Sequence, residues 1–290
     1  MKKKIIILLM ILGITLTCTT GCFDNDKLEN SNITTSVYPI EFLVSKLYKD
    51  NKKISSIYPN DTKISEYKLT DKQIKDFSKK TNLFVYNGLS SEKEIAKTLI
   101  NKNKKIQIID VAYGMKYTYG IEELWLNPSN YLNLANELKN NLQELSSSKY
   151  AAEKIEKNYE KLEEELATID ATIRNIGKNA IKNNKNTIII AYDTFGFLES
   201  YGFNIINISN ENNITSSIKT KFKNKEYVYI FVKDEKEISN SVKDLVDNYN
   251  AKLIKIDTME TLTDDQRNNN DNYLTIMNDF ITNLTTVTVN

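Results

Sequence analysis

The chain contains no histidine, and its only cysteines are Cys18 and Cys22. A serine–histidine triad and histidine-assisted thiol catalysis are therefore closed to it. The side chains left for chemistry are carboxylates and phenols, and several stand just past β-branched runs. Tyr38-Pro39 ends ITTSVYP, Pro59-Asn60-Asp61 follows KISSIY, Tyr192-Asp193 follows NTIIIA, and Asp257 closes AKLIKID. In open parallel sheets ligands collect outside the carboxyl ends of the strands, which is where these residues fall. A further stretch, EELWLNP from Glu122 to Pro128, sets two glutamates beside the only tryptophan. Carboxylate, carbonyl and water oxygens suit Mg, Ca and Mn, whereas imidazole suits Zn, Cu and Ni, so a cation met here is held by oxygen. Clustered carboxylates with no cation between them repel and raise one another's pKa. A carboxylate pair or a metal is the catalytic apparatus still open, and no motif asks for either.

Composition narrows the class. With 290 residues, 40% hydrophobic and 27% charged, the chain can bury one large or two modest cores. Lys plus Arg (39) nearly cancels Asp plus Glu (38), so nothing draws it generally to nucleic acid. Residues 1–21 read as a lipoprotein signal peptide. Met1-Lys2-Lys3-Lys4 is a positive start, and the apolar run from Ile5 to Leu16 is too short to span a bilayer. Gly21 then precedes Cys22 in the layout of a lipidation site, although Thr19 stands where leucine is usual; Cys18, after Thr17, fits less well. Lipidation of Cys22 would consume the last free thiol, and residues 22–31 would be a polar tether.

From about residue 32, strand-like and helix-like stretches alternate. ITTSVYP, KISSIYP, NLFVYNG and KIQIIDV are separated by helical patterns, and NTIIIAY, FNIINIS, EYVYIFVKD and AKLIKID repeat the rhythm. The fold class expected is α/β, with two Rossmann-like lobes of four mainly parallel strands, at 32–147 and 178–290. Between them Ile155, Tyr159, Leu162, Leu166, Ile169, Ile173 and Ile176 recur at helical spacing up to Gly177. That predicts one helix over 148–177, either a rigid connector across both lobes or a short coiled-coil seam. A closing helix is expected over 273–284, and RNNNDN (267–272) reads as a solvated loop.

Nearly the whole of the chain past the signal resembles the zinc- and manganese-binding lipoproteins that serve as substrate-binding subunits of metal-uptake ABC transporters. SVYPIEFLVSKL resembles their opening strand and helix, and NLFVYNG their third strand. YPNDTKISEYKLTDKQI, EELWLNP and AYDTFGFLESYG are similar to the segments that carry the family's first three metal ligands. LIKIDTMETLTDDQRNNNDNYLTIMNDF resembles the closing segment that supplies an aspartate.

Carried over residue by residue, the resemblance puts the four ligand slots at Ser65, Glu123, Tyr192 and Asp257. Only Asp257 keeps the family's chemistry, and Glu123 is the other favoured ligand. Glu66, Asp193 or Asp61 stand close enough in sequence to help. The resemblance implies a non-enzymatic, extracytoplasmic binding protein, lipid-anchored at Cys22 on the cell membrane. It would be a monomer serving an ABC permease and ATPase, with a metal cation as cargo and Mn or another hard cation favoured over Zn. The alternative is the same fold with metal binding lost, taking another small ligand against Tyr38, Tyr67, Trp125 and Tyr192 or acting as a surface or adhesion lipoprotein. Carboxylates spread apart, or bonded to backbone, would mark that alternative.

Overall fold

The computed structural model describes residue 28 and residues 31–48 and 54–289. The proposed signal peptide, the lipidation site at Cys22 and most of the tether lie outside them.

Short apolar runs become parallel strands, the two central strands of each sheet largely buried and the edge strands more exposed. In the first lobe these are β1 (Ile33–Thr35), β2 (Ile54–Ser56), β3 (Leu83–Tyr86) and β4 (Gln107–Asp110), in the order β2-β1-β3-β4. The second lobe has β5 (Thr187–Ile190), β6 (Asn204–Asn207), β7 (Tyr229–Val232) and β8 (Lys252–Lys255), in the order β6-β5-β7-β8. Every pairing in both sheets is parallel. A sheet covered on both faces needs apolar residues at consecutive positions. Accordingly, all of LFVY in β3 is buried, while in the second lobe Ile188, Ile190 and Phe231 face the main core and Ile189, Ile230 and Val232 face a smaller outer one. Each sheet reverses its strand order about its centre, between β1 and β3 and between β5 and β7, and the crevices at those reversals are where the fold admits ligands.

The helices of the first lobe are α1 (Tyr38–Tyr48), α2 (Asp71–Lys80) and α3 (Glu92–Lys102). The short α4 (Glu123–Leu126) and α5 (Pro128–Leu145) lead into α6, which runs from Lys149 to Lys182. Ser148 caps α6 by accepting from the Ala151 amide. Its 34 residues cover about 51 Å, and its buried stripe of Ile155, Leu162, Leu166, Ile169 and Ile173 joins the main core. It touches both lobes: Asn158 Nδ2 donates to the Leu47 carbonyl at 2.7 Å, and Asp170 accepts from the Tyr201 hydroxyl at 2.7 Å. The connector reading therefore describes this helix, and it continues past Gly177 instead of ending there. Gly177 serves close approach, because a Cβ at that position would stand 2.1 Å from the Tyr201 carbonyl oxygen.

The second lobe adds α7 (Ser216–Lys223) and α8 (Asn240–Tyr249), and DTFGFLESY forms a 3-10 helix, Asp193–Tyr201, closed by Gly202 at φ +89°. After β8 come α9 (Asp264–Asn268) and α10 (Tyr273–Val289), five residues longer than expected because Val287 still packs on the core and the threonines past Leu284 bond back along the helix. The supposed solvated loop begins with an anchored residue. Arg267 in α9 grips Glu41 of α1 with two bonds, at 2.6 and 2.8 Å. Among the described residues no helix is long and apolar enough to cross a membrane.

Alanine favours a helix interior by about 1 kcal/mol over glycine. Gly177→Ala nevertheless destabilises the chain by about 2 kcal/mol, since the added methyl meets backbone that cannot turn aside. Urea unfolding checks this, and equal or greater stability in the variant would refute the close-approach role.

Candidate functional site

The four ligand slots do not gather into one donor set. Ser65 lies on an exposed turn between β2 and α2, with Glu66 beside it, exposed and paired to Lys63 at 2.6 Å. Glu123 opens α4, and its carboxylate accepts from the backbone amides of Thr118 (2.9 Å) and Tyr119 (3.1 Å). Asp257, just past β8, accepts from the Met259 amide at 2.7 Å and from Gln266 Nε2 at 2.6 Å. Asp61 accepts from the Asp264 amide at 2.9 Å. Asp193 is exposed and bonded to Ser209 and Asn207, whose donors hold its carboxyl below the usual aspartate range. Tyr192 alone of the four slots reaches the gap between the lobes, where its hydroxyl donates to Glu122. Among the described residues no three Asp, Glu, His or Cys side chains are grouped so that they could hold a metal ion.

A different set converges there. Lys233, the first residue past β7, places its Nζ 2.9 Å from Glu122 Oε1, 2.8 Å from Glu260 Oε2 and 3.3 Å from the Tyr192 hydroxyl. The ammonium also lies 5.0 Å from the centre of the Tyr192 ring. Glu122 is bonded at both oxygens: Oε1 receives Tyr192 (2.5 Å) and Lys233, and Oε2 receives Thr194 Oγ1 (2.8 Å). Gly120 makes this approach possible, because a Cβ there would fall 1.9 Å from the Thr194 hydroxyl.

The charges are settled by these contacts. Burial pulls the Glu122 carboxyl up, but the Lys233 ammonium and the Tyr192 hydroxyl outweigh it and hold it below the usual range. Burial likewise pulls Lys233 down, while Glu260 and Glu122 more than reverse that and keep it charged. Burial and the bond to Glu122 push the Tyr192 phenol up to about 12, so at neutral pH it is a hydroxyl.

Trp125 holds the frame around this cluster. Its indole N–H donates to the Thr258 carbonyl at 2.7 Å, two residues before Glu260, and its own carbonyl accepts from the Tyr273 hydroxyl at 2.7 Å. Tyr273 stacks on Tyr131 with ring centres 4.0 Å apart, and Tyr131 donates to the Pro39 carbonyl. EELWLNP thus ties the segment past β8 and the last helix to the start of α1.

On the first-lobe side, Glu92 opens α3 with only 2% of its surface exposed. It accepts from the Asn87 amide at 3.3 Å. Burial pushes its carboxyl up to about 7, Glu260 adds to the rise, and the Asn87 amide opposes it.

Lys233, Glu260 and Glu122 escaped the sequence reading. EYVYIFVKD puts Lys233 directly past a strand, so the rule that singled out Tyr192 and Asp257 would have found it had cations been included. Glu122 was passed over for its neighbour because the family pattern falls on Glu123, whereas the turn at Gly120 aims Glu122 inward.

Two parallel-sheet lobes with their strand ends facing across a shared gap, bound by one long helix, define a two-lobed solute-binding protein. The chain belongs to the family of the zinc-uptake complex component A, periplasmic, whose sequence model matches residues 33–287. That family comprises metal-binding components of ABC importers. No curated protein matches the chain. Among solved structures, the Zn(II)-bound ZnuA-like domain of Streptococcus pneumoniae AdcA is similar at 20% identity and TM-score 0.71, over 90% of this chain and 99% of that one. The metal-dependent lipoprotein YcdH of Bacillus subtilis matches at 20% identity and TM-score 0.71, over 87% and 97%. The periplasmic zinc-binding protein TroA of Treponema pallidum matches at 12% identity and TM-score 0.66, over 90% and 100%. At these identities the likeness concerns the fold.

Glu92 generates a pH dependence. Its folded pKa of about 7 exceeds its ordinary 4.5, so the native state binds the extra proton and stability falls as pH rises between those values. Glu92→Gln removes that loss. We expect it to stabilise the chain by roughly 2–3 kcal/mol at pH 8 and to leave stability near pH 4 almost unchanged. Denaturant melts at both pH values check this, and an equal effect at the two would refute it.

Proposed function

We propose that this chain is an extracytoplasmic lipoprotein of the metal-importer substrate-binding family, anchored through Cys22, that works as a monomer with ABC permease and ATPase subunits but no longer captures a metal through the family slots. The observation that carries this reading is the Lys233 ammonium, which reaches from the second lobe to both Glu122 and Glu260. The local bonds of Glu123 and Asp257 support it, since a carboxylate that accepts backbone amides has fewer lone pairs to give a cation. Exposure of Ser65 on its turn points the same way.

A second reading, in which Mn or another hard cation is carried by oxygen ligands, draws on one feature. Glu122, Glu260, Tyr192 and Thr194 would make a hard-donor set if Lys233 withdrew.

Calorimetric titration of a soluble form beginning at Phe23, stripped with chelator, separates the two. With Mn, Zn, Fe, Mg and Ca salts the expected result is no saturable heat. Glu123→Ala and Asp257→Ala should each lower stability by about 1–3 kcal/mol through the amides they leave unpaired, without altering that silence. Saturable one-site binding that Glu122→Gln or Glu260→Gln weakens would establish the second reading instead.

A further inference from the structure

A lysine ammonium has three N–H donors and no acceptor. In this chain three oxygens meet Lys233 Nζ within 3.3 Å, from Glu260, Glu122 and the Tyr192 hydroxyl, and the Tyr192 ring lies beneath it. We propose that Glu122, Glu260 and Tyr192 form a preformed subsite for a primary ammonium between the lobes, and that Lys233 is its resident ligand, supplied in cis to hold the lobes together as a captured cation would. This rests on the metal-free reading above.

Three observations carry the assignment. The first is connectivity. Lys233 and Tyr192 belong to the second lobe, Glu122 precedes α4, and Glu260 sits in a segment fastened to the first lobe, where the Tyr38 amide donates to its carbonyl at 3.0 Å. One ammonium therefore joins three parts of the chain. The second is charge. The Glu122 side chain is 4% exposed and that of Glu260 22%, so without a cation two shielded carboxylates would face each other. The third is ligand chemistry. An aromatic face beside two carboxylates and a hydroxyl acceptor suits an alkylammonium, whose charge is attracted by a ring and whose three hydrogens need three acceptors.

Chemical rescue tests the subsite. Lys233→Ala deletes the atoms of a propylammonium ion, which serves as the probe. We expect the variant to melt lower than the parent, and propylammonium chloride in excess to raise its Tm by about 3–6 °C over equal sodium chloride, with a change below about 1 °C in the parent. Adding Glu260→Gln to Lys233→Ala should remove most of the rescue. No response of Lys233→Ala to propylammonium overturns the subsite, as does an equal response in the parent. Should Lys233→Ala fail to fold, the intact chain decides through NMR of its lysine ammonium nitrogens. A slowly exchanging Lys233 resonance that Glu260→Gln returns to the solvent-exposed position supports the subsite, and a Lys233 resonance already at that position overturns it. Parallel melts of the parent with Mn and Zn separate the two levels. A rise there overturns the metal-free reading, whereas failed rescue without such a rise overturns the subsite alone.

Discussion

Two carboxylates and one ammonium set the form of the space between the lobes. Glu122 is buried by the turn at Gly120, and a buried carboxylate is tolerated only when paired and fully hydrogen-bonded. Its three donors, from Lys233, Tyr192 and Thr194, meet that demand, and Glu260 shares the same ammonium. Because these partners come from both sides of the gap, satisfying one charge also fixes how the lobes face each other. Glu122 and Glu260 thus act with Lys233 as a structural clasp, with the cation belonging to the chain.

Around the clasp, rigidity comes from packing. The long α6 lies against α5, α10 and α1, and the main core runs without a break from the first lobe through these helices to the inner face of the second sheet. Trp125 adds hydrogen bonds at both ends of its residue, so the EELWLNP turn cannot move without disturbing Thr258 and Tyr273. A lone tryptophan beside a proline is explained by this: the indole fills a fully enclosed space, and its one donor finds a carbonyl.

The fold was legible because its signals are local. Continuous β-branched runs, such as NTIIIAY, alternating with helical periodicity specify parallel sheets covered on both faces, and the stripe from Ile155 to Ile173 specifies one long helix. The end of that helix was not legible. Gly177 reads as a cap by type, and only the neighbouring Tyr201 carbonyl, 24 residues on, shows that it serves close packing. The site was legible in position more than in composition. Residues past the strands do line the gap, as Tyr192 does, but which neighbour turns inward depends on one residue of phase in a turn. Glu122 rather than Glu123, and Lys233 rather than an acidic residue, are long-range outcomes that no local pattern encodes. Arg267 is similar, since its role is set by Glu41, 226 residues away.

The segment after β8 has a bearing on how the chain reaches this form. Tyr38 and Asp61 give their amides to Glu260 and Leu262, Asn60 bonds Asp264, and Glu41 waits for Arg267. The first lobe therefore finishes its edge with residues more than 200 positions further along the chain. Partners separated by more than 200 residues close only after everything between them has been ordered, which makes this seam a late and slow event in folding. The rim of the first lobe at Tyr38, Asn60 and Glu41 is sealed by the segment from Glu260 to Arg267, so the order of the first lobe's edge is coupled to the chain beyond β8.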